Sequence, residues 1–250
     1  MSQYLSGQFF CLTNKGLVRK TNEDYAQAAI NPYGNVLLAV ADGMGGANKG
    51  EYASSTLVKH IIRSFLSIDK EFKNVRAITK WLNTSIREAN LKILTKGEKD
   101  PNYKGAGTTL SLCLIVKDLL VTAQVGDSRI YLFEENKLKQ ISVDQTYVNY
   151  LKHAKKISEG EANTRPDRHK LTNALGTKKT VNVDINSFEY HKEKILLCSD
   201  GLYNNVPLND LTSTIRGNDS LDKKCNQLIA FGNANGGTDN MAVIIWEADR

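Results

Sequence analysis

The feature that most constrains this chain is the run from Val36 to Gly46, V-L-L-A-V-A-D-G-M-G-G, in which an apolar stretch stops abruptly at an acid followed by glycines. Val36 to Ala41 has the length, β-branched content and boundaries of a strand buried on both faces, although a run this short is also compatible with helix. Asp42 is then held at the rim of a core. A carboxylate there, beside a glycine whose missing side chain lets a ligand approach the backbone carbonyl, suits a hard divalent cation. For one such pair alone, a strand ending in an ordinary Asp-Gly turn is the better reading.

Repetition changes that balance. Ile195 to Gly201, I-L-L-C-S-D-G, repeats the apolar run, the acid (Asp200) and the glycine. Leu119 to Arg129, L-L-V-T-A-Q-V-G-D-S-R, ends another apolar run at Gly-Asp, with Asp127 the acid. Gly236 to Trp246 reverses the order and places Asp239 just before a strand, while R-K-T-N-E-D near the N-terminus adds Glu23 and Asp24. Acids this remote in sequence, all at strand ends, point to one shared site. Carboxylates a few ångströms apart repel and raise each other's pKa, and a bound cation removes the conflict.

At 250 residues, with 41% hydrophobic and 24% charged residues and 4 prolines, the chain can bury a substantial core and reads as one globular domain over 1–250. No apolar run approaches the roughly 20 residues that span a bilayer, so no membrane is expected. The opening M-S-Q-Y-L-S-G-Q-F-F-C-L lacks the basic start and cleavage site of a signal peptide. Cys11, Cys113, Cys198 and Cys225 are scattered without Cys-x-x-Cys spacing, as reduced core residues of a cytoplasmic protein would be. His60, His153, His169 and His191 are isolated, which removes the usual zinc and triad constellations. The net charge of +6 is dispersed and not interleaved with aromatics, so nucleic acid is not expected as a partner.

Along the chain, Gln8 to Leu12 and Tyr25 to Ile30 read as strands, with Asn31-Pro32-Tyr33-Gly34 as a turn. Glu51 to Leu66 and Asn74 to Leu94 carry apolar residues at helical spacing, the second stopping at Gly97. Leu110 to Val116, the strand ending at Asp127, Ile130 to Phe133 and Lys137 to Ile141 read as a β-meander. Thr146 to Arg168 is polar, basic and irregular, a surface flap in which Ser158-Glu159-Gly160-Glu161 is a capping box. A strand pair ending at Asp200, a helix over Ser220 to Phe231 closed near Gly232, and a last strand at Met241 to Trp246 follow. Blocks of strands and helices in this order argue α+β with antiparallel sheets.

Taken together, R-K-T-N-E-D, A-D-G-M-G-G, G-T-T, V-G-D-S-R, L-T-N-A-L-G, C-S-D-G-L and G-G-T-D-N-M-A-V resemble the metal-dependent serine/threonine phosphatases of the protein phosphatase 2C type, in their compact bacterial form. The resemblance covers nearly the whole chain in the family's order. It implies a central sandwich of two antiparallel β-sheets flanked on both sides by antiparallel helices, with a flap at about 146–170. It also implies two Mn²⁺ or Mg²⁺ ions bridged by Asp42. In the implied arrangement Asp200 and Asp239 would complete one ion, Glu23 and the Gly43 carbonyl would hold the other, and Asp127 with Asp200 would mark a third, weaker site. By the same resemblance Asp24 is expected to orient water and Arg19 to grip the substrate phosphate, for which a guanidinium fork is well shaped. A hydroxide between the ions would attack phosphorus directly, with no phosphoenzyme.

The implied substrates are phosphoserine and phosphothreonine in proteins phosphorylated by a serine/threonine kinase, met by a cytoplasmic monomer. Three positions depart from the family pattern. Met44 stands where many eukaryotic relatives have histidine, Gln145 follows Asp144 in place of histidine, and Asn173 replaces a common arginine; the last two are read as peripheral to the metals. The competing reading is a phosphoprotein-binding module of the same fold with little turnover, and a two-metal nuclease is disfavoured by the lack of a basic, aromatic-lined groove.

Overall fold

The alternation of side chains along a strand sets the architecture. In the computed structural model, which describes residues 6–46 and 49–249, the Val36 run is a strand whose every residue is fully buried. Leu37, Ala39 and Ala41 face a pair of helices, while Val36, Leu38 and Val40 face a second sheet. Such a strand needs a covering layer on each side.

The strands in chain order are β1 (Gly7–Asn14), β2 (Tyr25–Ile30), β3 (Val36–Ala41), β4 (Gly43–Met44), β5 (Gly107–Thr108), β6 (Leu110–Val116), β7 (Leu119–Val125), β8 (Arg129–Glu134), β9 (Lys137–Gln140), β10 (Asp184–Glu189), β11 (Lys194–Cys198) and β12 (Met241–Ala248). The helices are α1 (Lys49–Leu66), α2 (Val75–Lys99), α3 (Tyr147–His153), α4 (Glu159–Thr164), α5 (Asp200–Tyr203), α6 (Leu208–Arg216) and α7 (Leu221–Ala234). One sheet runs β1-β12-β11-β8-β9, the other β10-β7-β6-β3-β2, and β4 pairs with β5 in a small ribbon. All pairings are antiparallel.

Three apolar layers hold these elements together. One lies between α1, α2 and the β3 sheet, one between the two sheets around Trp246, and one between the β12 sheet and α5 to α7. The result is the four-layer αββα arrangement that the resemblance implies. Buried aliphatic area of this extent supplies the main driving force for folding.

Several local expectations need correcting. β6 to β9 do not form one meander, because the chain leaves the β3 sheet at Gly126–Ser128 and β8 joins the opposite sheet. Likewise β10 and β11 are not paired with each other: β10 lies on β7, and β11 lies between β12 and β8.

Gly97 does not stop α2, which continues to Lys99 and ends at Asp100. A Cβ on Gly97 would stand 2.9 Å from the Tyr103 carbonyl, so this glycine admits the returning chain and does not break the helix. Gly232 is also internal to its helix, where a Cβ would meet the Met241 sulfur at 2.4 Å. The flap is less irregular than its composition implies, since it contains α3 and α4, the latter opened by the full Ser158/Glu161 capping box. Residues 1–5 of the leader-free N-terminal reading lie outside the described residues.

Candidate active site

The functional acids are delivered by strand ends. Asp42 follows β3, where its N–H donates to Thr109 Oγ1 at 2.9 Å and its carbonyl accepts from Thr109 N–H and Thr108 Oγ1, each at 2.9 Å. Thr109 in turn meets the Ser128 hydroxyl at 2.8 Å. The backbone at Asp42 is thereby fixed on both sides before any ligand arrives.

Gly43 is required by crowding, since a Cβ there would lie 2.2 Å from the Gly50 carbonyl. Gly201 is tighter still, with a Cβ placed 1.9 Å from the Asn240 carbonyl, and it lets Asp200 at the start of α5 approach the Asp239 loop.

Asn240 clasps the N-terminal loop. Its Oδ1 accepts from Glu23 N–H at 2.8 Å, and its Nδ2 donates to the carbonyls of Lys15 and Thr21, each at 2.8 Å. Ser54 Oγ donates to the Glu23 carbonyl at 2.6 Å, anchoring the same loop to α1. Asp24 is 6% exposed and accepts from Ser199 Oγ at 2.5 Å, while Ser199 Oγ accepts from Ala242 N–H at 2.8 Å.

These contacts bring the predicted residues together. A cleft of about 600 Å³ is lined by Arg19, Glu23, Asp42, Gly43, Asp127, Asp200 and Asp239, with Met44 on its wall. Asp24 sits behind it, and its carboxyl and that of Asp200 lie within reach of Asp42.

The electrostatics follow from placement. Burial raises the pKa of Glu23, Asp42 and Asp200 above the ordinary carboxylate range and pushes Asp24 and Asp127 up to about 8. Repulsion from neighbouring carboxylates adds to this, most heavily at Asp42, which feels Asp24, Asp200, Asp127 and Asp239. Arg19 opposes the rise at Glu23, and His169 opposes it at Asp200. Arg19 donates to Asp239 at 2.7 Å, with half of its side chain exposed at the cleft mouth.

The donor set fits divalent cations. Glu23 Oε1 is buried without a hydrogen-bond partner among the described residues, although a buried oxygen left unpaired is costly. The acids are all hard oxygen donors. Among the described residues no three acidic, His or Cys side chains close tightly enough to hold an ion by themselves. An ion here would need backbone carbonyls and water beside the carboxylates, which magnesium-type cations accept.

Sequence reasoning missed several residues. His169 lines the cleft beside Asp200 but lies alone in a polar stretch, with no local signal. Asn240, Thr109 and Ser199 lie inside the quoted motifs, yet their clasping roles depend on long-range contacts.

Gln145 and Asn173, the two departures read as peripheral to the metals, meet each other behind the Asp127 turn. Gln145 Oε1 accepts from Gly126 N–H at 3.0 Å and from Asn173 Nδ2 at 2.9 Å, and its Nε2 donates to Asp184 at 2.7 Å. The two unusual residues are thus partners, and together they support the Gly126 turn (φ +90°) that presents Asp127. Next to it, Arg129 clamps Asp144 at 2.7 Å and lies 3.5 Å over the Tyr203 ring, forming the base of the flap.

Comparisons with known proteins identify the family and the fold. The family model described as Protein phosphatase 2C matches residues 18–242. A serine/threonine phosphatase (stp) of Listeria welshimeri is 34% identical over 236 residues, covering 94% of this chain and 93% of the relative. The solved S. agalactiae serine/threonine phosphatase superposes with a TM-score of 0.91 at 31% identity, covering 97% of this chain and all of that one. The catalytic domain of the serine/threonine phosphatase PstP, solved with two manganese ions, superposes with a TM-score of 0.84 at 30% identity over 98% of this chain and 100% of its own.

Proposed function

The chain belongs to the protein phosphatase 2C family, and from that premise we propose that it is a divalent-metal-dependent phosphatase acting on phosphoserine and phosphothreonine in proteins. The observation that carries the reading is the meeting of Glu23, Asp42, Asp200 and Asp239 in one cleft, with a Glu23 oxygen left without a partner. With water completing each shell, Asp42, Asp200 and Asp239 would contribute to one Mn²⁺ or Mg²⁺, and Asp42, Glu23 and the Gly43 carbonyl to a second; Asp127 with Asp200 would offer a third position. The two manganese ions in the related PstP domain support the first two positions. Bound there, the ions would screen the acids from one another, acidify a water and draw charge from the phosphoryl oxygens.

The chain's own residues do the rest. Arg19 reaches the cleft mouth and shares its fork between Asp239 and an incoming phosphate, holding phosphorus for in-line attack. Ser199 does not act as nucleophile, because its buried hydroxyl is committed to Asp24 and Ala242. The Cys198 thiol is buried and pushed up to about 12. Water is therefore the attacking group: its oxygen bonds to phosphorus, the bond to the serine or threonine oxygen breaks, and that oxygen leaves as the hydroxyl by taking, through solvent, the proton that the attacking water gives up. Asp24, held by Ser199 behind the cleft, would help to orient the water.

We extend the proposal to the chain as one catalytic unit over 1–250 with a flap at about 146–170, opposing a serine/threonine kinase as a cytoplasmic monomer. Four unpaired cysteines suit a reducing compartment. Among the described residues no helix is long and apolar enough to cross a membrane. Hydrolysis of a phosphothreonine peptide tests the core reading. It should require Mn²⁺ or Mg²⁺ and vanish in Asp42→Ala and Asp239→Ala; turnover unaffected by chelator would refute it.

A further inference from the structure

Away from the acids, a groove of about 430 Å³ opens between α2 and residues 179–183. Its floor is Leu175 with the half-buried Val181 and Val183, and its rim carries Lys80, Arg87 and Lys179. No acid lines it. None of the three cations has a carboxylate partner among the described residues.

The groove shares a wall with the catalytic cleft. Lys178 lines the cleft and its neighbour Lys179 lines the groove. That wall is rigid, because the buried Asn90 of α2 donates to the carbonyls of Lys178 (2.9 Å) and Lys179 (3.3 Å) and accepts from Gly176 N–H at 2.7 Å.

We propose that this groove docks a second segment of the phosphoprotein substrate: an extended, acidic stretch bearing an apolar side chain, bound outside the phosphate site. The proposal rests on the protein-phosphatase reading above. Charge complementarity selects the occupant, since unpaired cations around an apolar floor call for acids flanking a hydrophobe. Spacing refines it. Lys80 and Arg87 lie seven residues apart on α2, about 10 Å along the axis. An extended chain covers that length in about three residues, so the matching segment is acid-x-x-acid with an apolar residue between.

The test compares a phosphothreonine peptide with the same peptide joined by a flexible Gly/Ser linker to an Asp-Leu-Val-Glu tail, on wild type and on the Lys80→Glu/Arg87→Glu/Lys179→Glu variant. These side chains are exposed and unpaired, so folding should survive. The tail should lower KM about tenfold in wild type and not in the variant, with kcat and untailed hydrolysis unchanged. In parallel, a fluorescein-labelled tail without phosphate should bind metal-free wild type, read by anisotropy, and not the variant.

A tail without effect, or an effect that survives charge reversal, overturns the proposal. Equal binding of a tail with glycines in place of Leu-Val also overturns it, showing simple anion capture. If the untailed peptide is not hydrolysed, the phosphatase reading fails, and the anisotropy arm still decides the groove.

Discussion

Replacing Asp127 with asparagine should stabilise the metal-free protein. The side chain is 4% exposed and its pKa is pushed from 3.8 up to about 8, first by burial and then by Asp200 and Asp144. A carboxylate whose folded pKa lies above its unfolded value favours the protonated form in the fold. It therefore costs nothing below about pH 4, costs progressively more as pH rises toward 8, and levels off above that. At 1.36 kcal/mol per unit the ceiling is about 6 kcal/mol. The cleft is open to water, which relaxes around the charge, and the expected gain for Asp127→Asn at pH 8 is about 2 kcal/mol.

For a chain of this length that gain is a rise in Tm of about 4–8 °C in chelator at pH 8, shrinking to less than about a third at pH 5. Saturating Mn²⁺ should reverse the order, because wild type gains more from binding than a variant lacking the ligand. Thermal melts of both proteins at the two pH values, with and without metal, decide the matter. A neutral or destabilising effect in chelator at pH 8 would refute the reasoning that uncompensated acids strain this cleft.

Gly201→Ala should cost about 2–4 kcal/mol in urea unfolding and weaken metal binding in calorimetry, because its new methyl would press on the Asn240 carbonyl that lies 1.9 Å away. Gln145→Ala should cost about 2 kcal/mol by removing the support of the Asp127 turn and the shorter of the two side-chain hydrogen bonds to Asp184, and the Asn173→Ala change should add little on top of it in a double-mutant cycle. In the flap, Lys152 is tied to Glu159 at 2.8 Å, so Lys155→Ala/Lys156→Ala is the cleaner variant. It should raise phosphopeptide KM severalfold and leave aryl phosphate hydrolysis unchanged; equal effects on both would place these lysines in the chemistry.

What the sequence discloses depends on the range of the interaction. The apolar run at Val36 reports a strand covered on both faces because each residue must be buried, wherever its partners come from. The acids at strand ends could be read as one site because repulsion among them demands a common solution. Sheet membership was not legible: Gly126-Asp127-Ser128 looks like a hairpin, yet it carries the chain from one sheet to the other, a choice made by contacts with Thr109 and Gln145 far away in sequence. Gly97 and Gly232 resemble helix stops because a glycine needed for close packing looks the same as one needed for a left-handed turn. His169 and the Asn240 clasp act only through residues distant in the chain, and no spacing announces them.

Crystals grown with Mn²⁺ and measured at the manganese absorption edge test the central claim most directly. Anomalous peaks flanking the Asp42 carboxylate, one toward Asp200 and Asp239 and one toward Glu23 and the Gly43 carbonyl, are the predicted result. A cleft without such peaks at saturating Mn²⁺, or ions bound only elsewhere, would contradict the account.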